Sequence, residues 1–167
     1  MRSSKTTLIT LTIALVFSGV LAGTGISAED SPQREHQKKL IFDMGESLFQ
    51  EKKYDLAFRQ YAEFMDLYPR DRYSVMVLER MAYIYEKKQY FEKAAEVYLE
   101  LYERKGNTYE GAYYLFRAAE HYNYLGLDMT AEEYMRQILE NIPDSPEAQR
   151  VKIIMEKTDI PPETSEF

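Results

Sequence analysis

Residues 54–69 read YDLAFRQYAEFMDLYP. Leu56, Ala57, Tyr61, Phe64 and Met65 recur at helical spacing on one stripe, and Pro69 ends the run because its ring cannot continue the i→i−4 ladder. Among these bulky side chains, Ala57 is the one small residue on the stripe. Its meaning emerges 37 residues on, where Ala57 recurs as Ala94 and then again as Ala131. Pro69 falls in step with Gly106 and Pro143, and upstream Gly45 matches Ala82 and Ala119. The same interval relates Ile41, Leu78 and Leu115; Leu48, Tyr85 and Tyr122; Tyr61, Tyr98 and Met135; and Phe64, Leu101 and Ile138. Seven columns in register across three copies establish an internal repeat.

Each unit reads as two helices. In the first, Ile41, Met44, Gly45 and Leu48 stand at i, i+3, i+4 and i+7, the stripe of an amphipathic helix. The polar run EKKYD (51–55) suits a tight connection to the second helix. Gly45 and Ala57 lie on the facing stripes, where a missing side chain lets two helix axes approach closely. The units run over 38–74, 75–111 and 112–144. Beyond them Ser145-Pro146-Glu147 has the order of a helix start, with Ser as N-cap and Pro at the first helical position. Ala148, Val151, Ile154 and Met155 then form one stripe, so a capping helix is expected over 145–158 to cover the last apolar face of the array. Ser31-Pro32 opens an extension of the first helix through 29–37, and the tail 159–167 is expected to be disordered.

This pattern resembles the tetratricopeptide repeat (TPR) family, on the strength of Gly45, Ala57, Tyr61, Phe64 and Pro69 and their counterparts in the later units. The resemblance implies an all-α, helix-turn-helix solenoid of three repeats with a C-terminal capping helix. It also implies a non-catalytic protein-binding role, with the first helix of each unit lining a concave groove. On that basis the groove takes Lys39, Phe42, Glu46, Phe49 and Gln50 from the first unit. The second supplies Met76, Glu79, Tyr83, Glu86 and Lys87; the third supplies Tyr113, Phe116, Glu120, Asn123 and Tyr124. Chaperone-binding members hold a peptide carboxylate with Lys and Asn. Here Phe42, Glu79 and Phe116, and Glu46, Tyr83 and Glu120, stand in those places, so the clamp is missing. The long connections PRDRYS (69–74) and GNTYEG (106–111) look like those of exported bacterial envelope members.

The N-terminus points the same way. Arg2 and Lys5 precede an uncharged stretch, 6–28, that is apolar from Leu8 to Leu21 and ends in small residues before Glu29-Asp30. Basic, apolar, then small is the order of a secretory signal peptide, with cleavage expected after Ala28. An uncleaved inner-membrane anchor over 6–28 is the alternative. All 28 acidic side chains and all but two of the 21 basic ones lie after residue 28, which leaves the body at a net charge of −9. Such a body has no electrostatic footprint for nucleic acid, and it would reach a membrane only through partners or that anchor. Cysteine is absent from the 167 residues, which excludes disulfides and thiolate metal sites. His36 and His121 lie in different units and read as polar surface or groove side chains, so no metal site, cofactor or catalytic group is expected. The reading is a periplasmic scaffold or adaptor that binds an apolar, basic segment of an envelope protein. The alternative is a self-associating structural component of an appendage or motility assembly. An enzyme or transport-linked ligand binder is a minor third.

Overall fold

The computed structural model describes residues 31–158; residues 1–30, with the expected signal peptide over 1–28, and the tail 159–167 lie outside them. Among the described residues the chain forms seven helices and no strand: α1 (Pro32–Gln50), α2 (Tyr54–Leu67), α3 (Ser74–Lys87), α4 (Phe91–Lys105), α5 (Tyr109–Tyr124), α6 (Asp128–Asn141) and α7 (Pro146–Thr158). Each helix packs on the next, and α7 also touches α5, so the fold is an all-α repeat solenoid. Polar side chains cap three of the helix starts. The Ser31 hydroxyl accepts from Arg34 N at 3.3 Å, Thr108 from Gly111 N at 3.0 Å and Ser145 from Ala148 N at 3.1 Å.

The turn inside each unit is one structure built three times. Lys52, Gln89 and Gly126, again 37 residues apart, all adopt left-handed backbone with φ of 58°, 59° and 72°. Around each, the same two bonds form: Lys52 N to Phe49 O with Lys53 N to Leu48 O, Gln89 N to Glu86 O with Tyr90 N to Tyr85 O, and Gly126 N to Asn123 O with Leu127 N to Tyr122 O. This is the Schellman ending, which satisfies the last carbonyls of one helix and reverses the chain into the next.

The core is divided by unit, and each division is closed by a helix from its neighbour. Ile41, Phe42, Ala57, Tyr61 and Phe64 of the first unit are sealed by Val77 and Ile84 of α3. Leu78, Ala82, Tyr98 and Leu101 of the second are sealed by Tyr114 and Ala118 of α5. Leu115, Ala119, Met135 and Ile138 of the third are sealed by Ala148 and Val151 of α7. No unit buries its own apolar surface alone, which is why the array needs its terminal helix. The small residues Gly45, Ala57, Ala82, Ala94, Ala119 and Ala131 are all buried at these crossings. At Gly45 the fit is tightest: an added Cβ would stand 2.7 Å from Tyr61 Cε1. Pro69 and Pro143 follow α2 and α6, and Gly106 ends α4 with φ of 60° in the equivalent place.

Candidate partner-binding groove

A depression of about 510 Å³ is lined by Phe49 of α1, by Glu79, Arg80, Tyr83 and Glu86 of α3, by Tyr98 of α4, and by Tyr113, Tyr114 and Arg117 of α5. Its aromatic rings form two touching groups, one on each side. Phe49 meets Tyr83 edge-on at 5.3 Å between ring centroids and Tyr54 at 5.6 Å, while Tyr113 meets Tyr114 at 5.5 Å. The Arg80 guanidinium lies 4.8 Å from the centre of the Phe49 ring, and Lys87 Nζ lies 5.0 Å from that of Tyr83.

The charges are arranged as bridges between units. Glu46 accepts the Tyr61 hydroxyl of its own unit at 2.5 Å and Arg80 of the next at 3.0 and 3.2 Å. Glu86 accepts the Tyr98 hydroxyl of its own unit at 2.8 Å, and from the next unit Arg117 at 2.5 Å and His121 Nε2 at 2.9 Å. Burial pushes the Glu86 carboxyl up, but the bonds from His121, Arg117 and Tyr98 outweigh it and hold the group down at about 2. Burial, reinforced by Glu86, raises the Tyr98 hydroxyl. Arg117 also donates to Glu120 at 2.6 Å. Glu79 accepts the Tyr114 hydroxyl at 2.6 Å and forms no salt bridge among the described residues.

Several residues expected in the groove are elsewhere. Phe42 and Phe116 are 9% and 4% exposed and belong to the cores of the first and third units. Phe42 is stacked against Tyr73, which the long connection between units lays over it at 4.4 Å; Phe116 sits in the cluster closed by α7. Neither is an anchor for a partner. Asn123 opens onto a separate cleft of about 330 Å³ at the C-terminal end with Met135, Ile154 and Met155. Tyr124 is exposed beside Phe91 at the turn edge, and Met76 is exposed on α3 outside the depression. Glu46 and Glu120 reach it only through their arginines. His121 is not a surface histidine: it is buried, stacked between Phe91 and Tyr98 at 5.8 and 5.7 Å, with Nδ1 enclosed and unpaired. Its Nε2 therefore carries the proton given to Glu86. His36 is exposed on α1.

Sequence reasoning passed over Arg80 and Arg117. They too stand 37 residues apart, so the period that located the small residues also carried this signal. The expectation of an anionic groove is corrected by them, because they neutralise Glu46 and Glu86 in place. No nucleophile–base pair is assembled here, and among the described residues no group of three His, Asp or Glu gathers as for a metal ion. What the depression offers is recognition: aromatic faces and edges, oriented guanidinium groups and one carboxylate, Glu79, outside any salt bridge among the described residues.

No family model and no curated protein matches the chain. Among solved structures, the N-terminal domain of stress-induced protein-1 (STI-1) from C. elegans superposes with a TM-score of 0.58 at 16% identity, over 72% of this chain and 95% of that one. The likeness is one of fold, a TPR-like all-helical repeat.

Proposed function

We propose that the chain is an exported, non-catalytic scaffold or adaptor of a cell-envelope complex, holding a segment of a protein partner in the groove of α1, α3 and α5. The observation that carries this reading is the aromatic wall of Phe49, Tyr83 and Tyr113, half-buried or exposed and facing an open depression on a repeat solenoid. Aromatic anchors supply contact area at low entropic cost and dominate binding when desolvated. The partner segment is apolar with a basic residue directed at Glu79, since Glu46 and Glu86 are engaged by arginines. Location in the periplasm is supported by the basic–apolar–small order of residues 1–28 and the acidic body that follows.

A photo-crosslinking residue at Tyr83 in intact cells, with one at exposed Glu103 of α4 as control, identifies the segment and its compartment. Calorimetry of that segment against Tyr83→Ala/Tyr113→Ala then measures the groove. A loss of at least about tenfold in affinity, some 1.4 kcal/mol, is expected from a double variant that keeps its helicity. Crosslinks at 103 alone, or unchanged affinity in the folded variant, refute the groove; capture of cytoplasmic proteins alone refutes export.

A further inference from the structure

A second cleft, of about 380 Å³, opens where α2, the end of α3 and the start of α4 meet, and it shares no lining residue with the groove. Phe58, Tyr85 and Tyr90 form a continuous aromatic run along it, with ring centroids 5.0 and 6.4 Å apart. Arg59, Lys88 and Lys93 line it with a single carboxylate, Asp55. Asp55 is taken by Lys88, and Arg59, one turn on along α2, acts on it only through space. Lys93 Nζ lies 5.8 and 5.9 Å from the centres of the Tyr85 and Tyr90 rings and pairs with no carboxylate among the described residues. Glu92 and Glu96, within a turn of it on α4, are exposed, do not line the cleft and form no salt bridge among those residues either. The fold does not require these cations. At the next junction, 37 residues on, Glu96, Leu125 and Thr130 stand in the columns of Arg59, Lys88 and Lys93, and Glu92 in that of Asp55.

We propose that this cleft is a second binding site, for an acidic peptide segment that carries a large apolar or aromatic side chain. The apolar side chain lies on Phe58, Tyr85 and Tyr90, and carboxylates on either side of it reach Arg59 and Lys93. Charge complementarity selects this occupant. Three cations against one carboxylate give the cleft a local excess of positive charge on a body whose net charge is −9. Arg59 can grip a carboxylate through two parallel hydrogen bonds, and the rings supply contact area at low entropic cost. At physiological salt the screening length is about 8 Å, so the carboxylates of a short segment feel these cations and little else. A nucleic acid or an anionic membrane spans many such lengths and meets the acidic body as a whole.

The site stands independently of the groove. There Glu79 favours a basic segment; here Arg59 and Lys93 favour an acidic one, so a single chain can hold two segments of opposite charge.

Calorimetric titration of the protein purified from its producing cells tests this, with the end-blocked peptide Glu-Leu-Glu-Phe-Glu as probe and Gln-Leu-Gln-Phe-Gln as its neutral counterpart. The acidic peptide is expected to bind at least about tenfold more tightly than the neutral one, and to weaken as salt rises from about 0.1 to 1 M. Arg59→Glu/Lys93→Glu lowers its affinity at least about tenfold with helicity and urea midpoint unchanged, and Arg59→Gln/Lys93→Gln, which adds no carboxylate, lowers it less. Arg150→Glu/Lys152→Glu on exposed positions of α7 changes the net charge equally and leaves the affinity alone, as does Tyr83→Ala/Tyr113→Ala in the groove. No binding up to about 1 mM, equal affinity for the neutral peptide, an equal loss in the α7 variant, or a loss in the groove variant overturns the proposal. So does a wild type that prefers phosphatidylglycerol vesicles or an oligonucleotide to the peptide and loses that preference in Arg59→Glu/Lys93→Glu.

Discussion

Gly45→Ala sets two well-known effects against each other in one methyl group. By helix propensity alone the change is favourable by about 1 kcal/mol, since glycine in a helix interior leaves the most backbone entropy to be lost. The crossing of α1 and α2 argues the opposite. The new Cβ would lie 2.7 Å from Tyr61 Cε1 and 2.9 Å from Cδ1, so the ring must retreat by about 1 Å to reach ordinary contact. It has nowhere to go: Tyr61 is fully buried, and its hydroxyl is held by Glu46 at 2.5 Å beside Arg80. Overpacking of this kind costs about 1–3 kcal/mol, and disturbing a hydrogen bond to a carboxylate adds to it. The net expectation is a loss of about 1–2 kcal/mol. Urea melts followed by far-ultraviolet circular dichroism measure it in a chain that has no tryptophan. The third unit supplies the control, because it pairs Ala119 with Met135 in these columns. In a Tyr61→Met background Gly45→Ala becomes neutral or stabilising, a coupling of at least about 1 kcal/mol in the double-mutant cycle. An equal or higher midpoint for Gly45→Ala in the wild-type background refutes the steric account.

Two further outcomes are expected. Gln89→Gly stabilises by up to about 1 kcal/mol, because it relieves a left-handed backbone worth about 1–2 kcal/mol at an unfolded-state entropy cost of about 0.4–1 kcal/mol; Gly126→Ala, where a Cβ meets nothing within 4 Å, loses a similar amount. Thermal melts that move both variants in the same direction contradict the shared turn. Glu86 in the folded chain is held at about 2 against an ordinary 4.5, so its contribution is fully present above about 4.5 and is lost as pH falls toward 2. Stability measured in urea over that window should fall less steeply for Glu86→Gln than for wild type, and parallel curves sink the assignment.

The period of small and large residues was legible because every unit must solve the same packing problem, and packing at a helix crossing restricts residue size. The left-handed turn was legible only at Gly126, since Lys52 and Gln89 adopt it without being residues that favour it. The groove was legible in part. Phe49, Glu79, Tyr83, Glu86 and Tyr113 share one depression, whereas Phe42 is hidden by Tyr73. That covering comes from the connection between units, and a pattern of columns within helices says nothing about where a loop folds back. Arg80 and Arg117 recur in two units only, with Asp43 in the same column of the first, and their partners Glu46 and Glu86 stand in different columns, so the pairing depends on the rotation of one unit upon the next.

That pairing bears on how the array comes apart. Glu46 and Glu86 each accept a tyrosine from their own unit and an arginine from the following one. If the third unit melted alone, Glu86 would lose Arg117 and His121, two of the three donors that hold its carboxyl down, and keep only Tyr98. Fraying from the C-terminal end is thereby penalised at its first step, and the same penalty guards the junction at Glu46. The bridges thus make each unit's stability depend on that of the next, as the nearest-neighbour interfaces of a repeat array do.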